Sequence, residues 1–297
     1  MSETSIQKIK NDNLKKILSD NTILNFLHDN HLANIYVEDN YLKFLDYFNS
    51  INMCKDCQGL SACRQASKGQ CVQMSLIKPE NIIINEIVNC HYTNEKIEKE
   101  RHLRYFVYND IPSMYHNIFF QDVYRGCQDK DLTITLAYIL SGKESKGIYL
   151  YGDLGVGKTY IVISLMNSLA LKKKDVAFVK VGSLIEKLRL LNVQDRSRYD
   201  SIISSLKKVT YLSLDDIGTE SVTSFSRDDI LFNILDYRME HKLTTIFTSN
   251  ADIAKLKAIY QFDKYENEDV IKANRLIERV DKLTNKFCLK GENLRQK

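Results

Sequence analysis

The sequence predicts an α/β chain: a parallel sheet covered by helices on both faces, preceded by a small, mostly helical domain that holds a cysteine cluster. Three observations predict it. After Pro112, short apolar runs alternate with stretches of helical periodicity, the pattern of parallel strands joined by crossover helices. Between the run GIYLYG (147–152) and the next helical stretch lies a glycine-rich turn ending in Lys-Thr. Ahead of both, CKDCQGLSACRQASKGQC (54–71) gathers four of the seven cysteines.

Taken in order, residues 13–30 place Leu14, Ile17, Leu18, Leu24 and Leu27 at helical spacing, and YLKFLDYFNSI repeats the amphipathic pattern. IKPENIIINEIVNC joins a Pro-Glu-Asn turn signal to an apolar run and reads as a short strand. Residues 93–107, TNEKIEKERHLRYFV, are highly charged and read as a linking helix. The expected organisation is therefore an N-terminal domain over 1–92, a linker over 93–111 and a C-terminal domain over 112–297. In the last, the strands GIYLYG, VAFVKV, VTYLSLDD and TTIFTSN alternate with the helices TYIVISLMNSLALKKK, SLIEKLRLL and SRDDILFNILDYRMEHK.

A length of 297 residues favours two domains, and 44% hydrophobic residues is enough for a sizeable core. The net charge of +4 does not by itself mark a nucleic-acid binder. Its distribution is more informative. Residues 272–297 carry eight cations (Lys272, Arg275, Arg279, Lys282, Lys286, Lys290, Arg295 and Lys297) against Glu278, Asp281 and Glu292. Such an excess attracts phosphates, or else forms a solvated basic helix. MSETSIQKIKNDNLKK lacks the apolar core of a secretion signal, and no uncharged apolar run reaches about 18 residues. A cytoplasmic protein with no membrane partner is expected, and in that reducing compartment clustered cysteines point to metal or catalysis rather than disulfides.

GDLGVGKT, Gly152–Thr159, fits G-x-x-x-x-G-K-[ST] between a strand and a helix. Gly152, Asp153, Leu154, Gly155, Val156 and Gly157 form a loop whose N–H groups can converge on a phosphate, at the positive end of the helix beginning near Lys158. Lys158 is expected to reach the β- and γ-phosphates of ATP, with Thr159 ligating Mg2+ and Tyr160 following in the site. YLSLDDIG delivers Asp215 as the second Mg2+ group and Asp216 as candidate base or water-orienting group. TTIFTSN ends in Ser249-Asn250, whose amide can bond the attacking water. NRLIERV sets Arg275 and Arg279 at i, i+4 on one helix face; either they complete a neighbouring subunit's site or they pair with Glu278 on the surface.

Cys54-x-x-Cys57 is a chelating turn, and Cys63, Cys71, Cys90 and His91 are candidates for completing a Zn2+ tetrahedron. No thioredoxin-like pattern surrounds it. Cys127 and Cys288 stand alone and read as packing residues.

LYGDLGVGKT, LSLDDIGTESVTSFSRDDIL, FTSN, KANRLIERV and GENLR together resemble the AAA+ ATPases that load the replicative DNA helicase, the DnaC/DnaI type. The likeness runs from about residue 50 onward. It implies an AAA+ core with a minimal lid, consistent with the 47 residues after Asn250. It implies Arg279 as the trans-acting arginine finger with Arg275 beside it, and Arg295 in the nucleotide site. Asp216 stands where many relatives carry Glu, which implies slow, switch-like hydrolysis. For zinc the resemblance selects Cys54, Cys57, Cys71 (in a histidine's place) and Cys90, with Cys63 spare. The implied partners are the hexameric replicative helicase, single-stranded DNA and further copies of the chain on the helicase ring. A transposition-accessory ATPase and an adaptor that binds ATP without hydrolysing it are the alternatives.

Overall fold

The computed structural model describes residues 3–123, 129–265 and 267–293. Its chain divides into two compact units, Met1–Lys99 and Glu100–Lys297. Cys127 and Arg295 lie outside the described residues.

The first unit contains helices α1 (Glu3–Ile17), α2 (Asn21–Asp29), α3 (Ile35–Asp39) and α4 (Tyr41–Cys54), then strands β1 (Gln70–Ile77) and β2 (Ile82–Asn89), then α5 (His91–Lys99). Asp20 caps α2 by accepting from the Thr22 N–H, which supplies one of the partners a helix start lacks. Ile17, Ile23, Leu27, Val37 and Phe44 pack with Met74 and Ile83 of the strands. The short strand expected after Lys78 is one arm of an antiparallel hairpin pairing Gln70 through Ile77 with Asn89 through Ile82. The turn at residues 78–81 folds the preceding extended run back on it. Ser50 of α4 accepts from the Val72 N–H at 2.9 Å and ties the helix to the hairpin.

The second unit is built on a six-stranded sheet of order β3-β5-β6-β7-β4-β8. The strands are β3 (Phe106–Asn109), β4 (Gly147–Tyr151), β5 (Val176–Lys180), β6 (Tyr211–Asp215), β7 (Thr244–Ser249) and β8 (Thr284–Cys288). Every neighbouring pair is parallel. The helices are α6 (Phe120–Val123), α7 (Lys130–Ser141), α8 (Lys158–Leu171), α9 (Val181–Gln194), α10 (Arg196–Lys208), α11 (Asn233–Glu240), α12 (Ile253–Gln261) and α13 (Val270–Leu283); a π-helical segment, Phe225–Phe232, leads into α11.

Residues 93–111 are not one linking helix. They hold the end of α5, a 3-10 turn and β3, which pairs with β5 from Phe106 opposite Val176. The physical reason is period-two patterning hidden beneath the charge of the preceding segment: Phe106 packs into one face of the sheet and Tyr108 into the other. The same alternation runs through the central strands. Ile148, Leu150, Val176, Phe178, Tyr211 and Ile246 join α7 and α8. Tyr149, Ala177, Val179, Leu212, Leu214 and Phe247 join α9 to α13. Burial on both faces is why these strands read as continuous apolar runs. Among the described residues no helical lid follows β8.

Candidate active site

β4 is bonded to β7 on one side and β8 on the other, while the next strand in sequence, β5, lies beyond β7 and β6. That reversal makes the carboxyl end of β4 the place where a sheet of this kind opens a crevice. The loop 152–157 leaves there. Gly155 and Gly157 adopt φ of +82° and +97°, the left-handed region that glycine enters without penalty. Gly152 is small for another reason: a Cβ on it would lie 2.1 Å from the Leu289 carbonyl oxygen. Leu289 is fixed there because its N–H donates to the Tyr151 carbonyl at 2.7 Å.

α8 follows directly, buried without interruption from Ile161 to Ala170, so its positive N-terminal end is held rigidly under the loop. Lys158 Nζ donates to the carbonyls of Gly152 and Asp153, each at 2.8 Å, and to Asn250 Oδ1 at 2.9 Å. Sequence had placed these groups in one site, and the fold joins them directly. Val156 is buried, Leu154 is exposed, and Tyr160 is exposed with its ring edge-on to Tyr115.

Asp215 ends β6 and is 1% exposed. Its Oδ1 accepts from Thr159 Oγ1 at 2.9 Å and Thr248 Oγ1 at 2.6 Å. Burial pushes this carboxyl above the usual range and Asp216 adds to the rise, with bonds from Thr248 and Thr159 and the charge of Lys180 opposing it. The two hard oxygens of Thr159 and Asp215 suit Mg2+. Asp216 sits at φ +58°, a conformation Asp tolerates better than most residues. Its N–H donates to Thr248 Oγ1 at 2.8 Å. Ile217 N–H donates to the Thr248 carbonyl at 3.0 Å, and Ser249 Oγ to the Ile217 carbonyl at 2.8 Å. Thr248, passed over in the sequence beside Ser249-Asn250, is thus the side chain that fixes both acids.

The segment after the acids is also anchored. Glu220 is buried, accepts from the Gly218 N–H at 2.9 Å and takes the hydroxyl of buried Tyr260. Burial raises the Glu220 carboxyl and drives the Tyr260 hydroxyl well above its usual range. Arg227 then bonds Asp228 at 2.8 Å, the Tyr260 carbonyl at 3.0 Å and Asp269 at 3.5 Å. The run DDIGTES…SRD therefore links the end of β6 to α12 and to Asp269, which caps α13.

On α13, Arg275 and Arg279 bond within their helix and to the Phe225–Glu240 segment rather than to the 152–160 loop. Arg279 Nε donates to Asp236 Oδ1 at 2.9 Å and Nη1 to Glu278 at 3.1 Å. The guanidinium of Arg275 lies 4.4 Å from the centre of the Phe232 ring. Elsewhere in the basic tail, Lys272 pairs with Asp228 and Asp269, Lys282 with Glu278, and Lys286 with Asp281. Much of the excess charge is thus matched locally, a feature the count alone did not reveal.

In the first unit the hairpin and α4 bring thiols together. Burial raises the Cys71 thiol, and so do its neighbours Cys54, Cys90 and Cys63. The expected Zn2+ set of Cys54, Cys57, Cys71 and Cys90 is not formed: among the described residues no three His, Cys, Asp or Glu side chains group to hold a metal ion. The sulfurs have other partners. Cys54 accepts from Gln65 at 3.2 Å, Cys57 donates to the Gly59 carbonyl at 3.6 Å, and Cys90 meets Thr93 at 3.6 Å. Cys63, set aside as spare, lies in Cys71's neighbourhood and accepts from the Gly69 N–H at 3.4 Å. His91 faces Glu95 at 3.4 Å. As arranged these residues do not fit zinc. No helix among the described residues is long and apolar enough to cross a membrane.

The chain is 26% identical over 294 residues to the replicative helicase loader DnaI of Bacillus subtilis, an alignment covering 95% of this chain and 91% of that protein. A crystal structure of DnaI superposes with a TM-score of 0.54 at 29% identity, covering 65% of this chain and 99% of that one. Residues 119–297, more than half the chain, match the family of IstB-like ATP binding proteins. With the phosphate loop, the buried acid and the six-stranded parallel sheet in place, the chain belongs to the IstB-like ATP-binding protein family, on the AAA+ fold.

Proposed function

We propose that this chain is an ATP-dependent loader of the replicative DNA helicase. The observation that carries the reading is the extent of the likeness to DnaI, which spans both units, whereas the family match begins at residue 119. A transposition-accessory role would draw on the ATPase core alone and leaves the first unit without a purpose.

In this reading the loop 152–157 and the start of α8 bind the triphosphate, with Lys158 turned from Asn250 toward its outer phosphates. Thr159 and Asp215 hold Mg2+, which supplies charge neutralisation at the phosphates. Asp216, held by Thr248, orients or deprotonates the attacking water, and Asn250 hydrogen-bonds it. Arg279, with Arg275 beside it, acts on the nucleotide of a second copy of the chain. Arg295 belongs to the nucleotide site, and single-stranded DNA binds the second unit. The first unit docks on the hexameric helicase, and slow hydrolysis serves as a switch between assembly and release.

The test is sedimentation of the full chain with the cell's replicative helicase, with and without ATP. Co-sedimentation that needs ATP and is lost in Lys158→Ala supports the loader. No complex under either condition overturns it. Turnover equal in wild type and Lys158→Ala, measured with single-stranded DNA, favours the non-hydrolysing adaptor instead.

A further inference from the structure

We propose that Phe232 and Asp236 are positioning residues for the arginines of α13, setting the guanidinium of Arg279 in the posture in which it meets a phosphate held by a second copy of the chain. The inference rests on the reading of Arg279 as acting in trans.

The guanidiniums of Arg275 and Arg279 share one aromatic ring, at 4.4 Å and 4.9 Å from the centroid of Phe232. Two cations at i, i+4 repel each other. The ring's negative face and the nearby carboxylates offset that repulsion. Arg279 is then fixed in its plane, with Nε on Asp236 at 2.9 Å and Nη1 on Glu278 at 3.1 Å and on the Arg275 carbonyl at 3.3 Å. Nη2 has no partner among the described residues, so one end of the planar fork keeps both of its N–H groups for an incoming oxygen. That is the donor geometry that recognises phosphate. A long side chain free to turn would lose rotamer entropy each time it engaged a ligand, and clamping it beforehand removes that cost.

A purely structural role fits less well. α13 is already joined to the π-helical segment through Arg227 with Asp269 and Lys272 with Asp228. It is seated in the core by Leu276, Ile277 and Val280. Phe232 is only half-buried, and with Asp236 it walls a cavity of about 700 Å³ that Tyr199 and Phe225 also line. Phe232 also packs against that core, and α13 keeps these other anchors when either residue is changed.

The experiment uses the full chain and follows ATP turnover as protein concentration is raised. Phe232→Leu and Asp236→Ala are expected to lower kcat about 10- to 100-fold, the scale of a misplaced catalytic group, with KM for ATP and Tm as in wild type. Phe232→Tyr restores the rate, because the ring is what the arginines need. Lys158→Ala protomers, unable to turn over ATP but carrying intact arginines, restore turnover when mixed with Phe232→Leu or Arg279→Ala protomers; a defect within one protomer's own site is not rescued this way. Wild-type-like turnover by Phe232→Leu and Asp236→Ala, alongside a rescued Arg279→Ala defect, overturns the positioning role and leaves the trans reading standing. Wild-type turnover that does not rise with concentration, or an Arg279→Ala defect that mixing does not repair, overturns the trans reading and this inference with it.

Discussion

Thr248 on β7 donates its hydroxyl to Asp215 Oδ1 at 2.6 Å and accepts the Asp216 N–H at 2.8 Å. One side chain from a neighbouring strand thus places two acids in different surroundings, a buried carboxylate and the more open residue beside it. Removing the hydroxyl while keeping the shape, as in Thr248→Val, leaves the Asp216 N–H without a partner and lets the Asp215 carboxyl rise further. The expected cost is about 1–3 kcal/mol in urea unfolding, with Mg-nucleotide binding requiring a higher pH than in wild type. Thr248→Ser should restore both.

Asp216 occupies a left-handed backbone position that Asn also favours. Asp216→Asn is therefore expected to keep the wild-type Tm and nucleotide affinity while ATP turnover falls by about 10²–10⁴-fold, the usual worth of a general base. A single-turnover assay with bound ATP separates this from a binding defect.

Burial raises the Asp215 carboxyl above the ordinary 3.8. A carboxyl shifted upward gives the folded chain stability that is complete below the unfolded value and lost as pH rises through the folded one. Asp215→Asn removes that loss. Its Tm is expected to match wild type below about pH 4 and to exceed it once pH rises above the ordinary carboxyl range, even as Mg-dependent nucleotide binding disappears. Thermal melts across that range, beside a nucleotide titration, check both halves.

Arg238 is fully buried, with no carboxylate partner among the described residues. It donates instead to the carbonyls of Leu206, Lys207, Val209 and Thr244 and to Thr245 Oγ1, at 2.7–3.2 Å, closing the end of α10 against the starts of β6 and β7. Burial pulls its pKa down to about 9. Arg238→Ala strands those acceptors and is expected to cost about 3–5 kcal/mol by chemical denaturation. Arg238→Lys should recover only part, since an ammonium has three donors and no planar fork.

The phosphate loop was legible because its chemistry is local: glycines, lysine and threonine at fixed spacing between a strand and a helix. Asp215, Asp216 and Asn250 followed because each ends an apolar run, and strand ends of a parallel sheet meet. Partnerships across long separations were not legible. Glu220 finds Tyr260 and Asp236 finds Arg279 only after α12 and α13 have packed, and no spacing rule links such pairs. β3 was hidden because the charge of residues 93–104 outweighs the four-residue alternation that follows. The thiols misled for a related reason. Cys-x-x-Cys spacing describes a turn, but which sulfurs share a neighbourhood is decided by how the chain between α4 and β1 folds, and there Cys63, bonded to the Gly69 N–H, joins the group around Cys71.

The central strands carry a further consequence. Tyr211 and Leu212, or Ile246 and Phe247, are adjacent in sequence yet face opposite sides of the sheet and belong to separate cores. The sheet acts as a partition, so two neighbouring substitutions pose two unrelated packing problems. Where side chains share no partner, their effects on stability add. The side bearing α9 to α13, with the paired arginines, can therefore drift in sequence under one set of constraints while the side bearing α7 and α8 keeps its own.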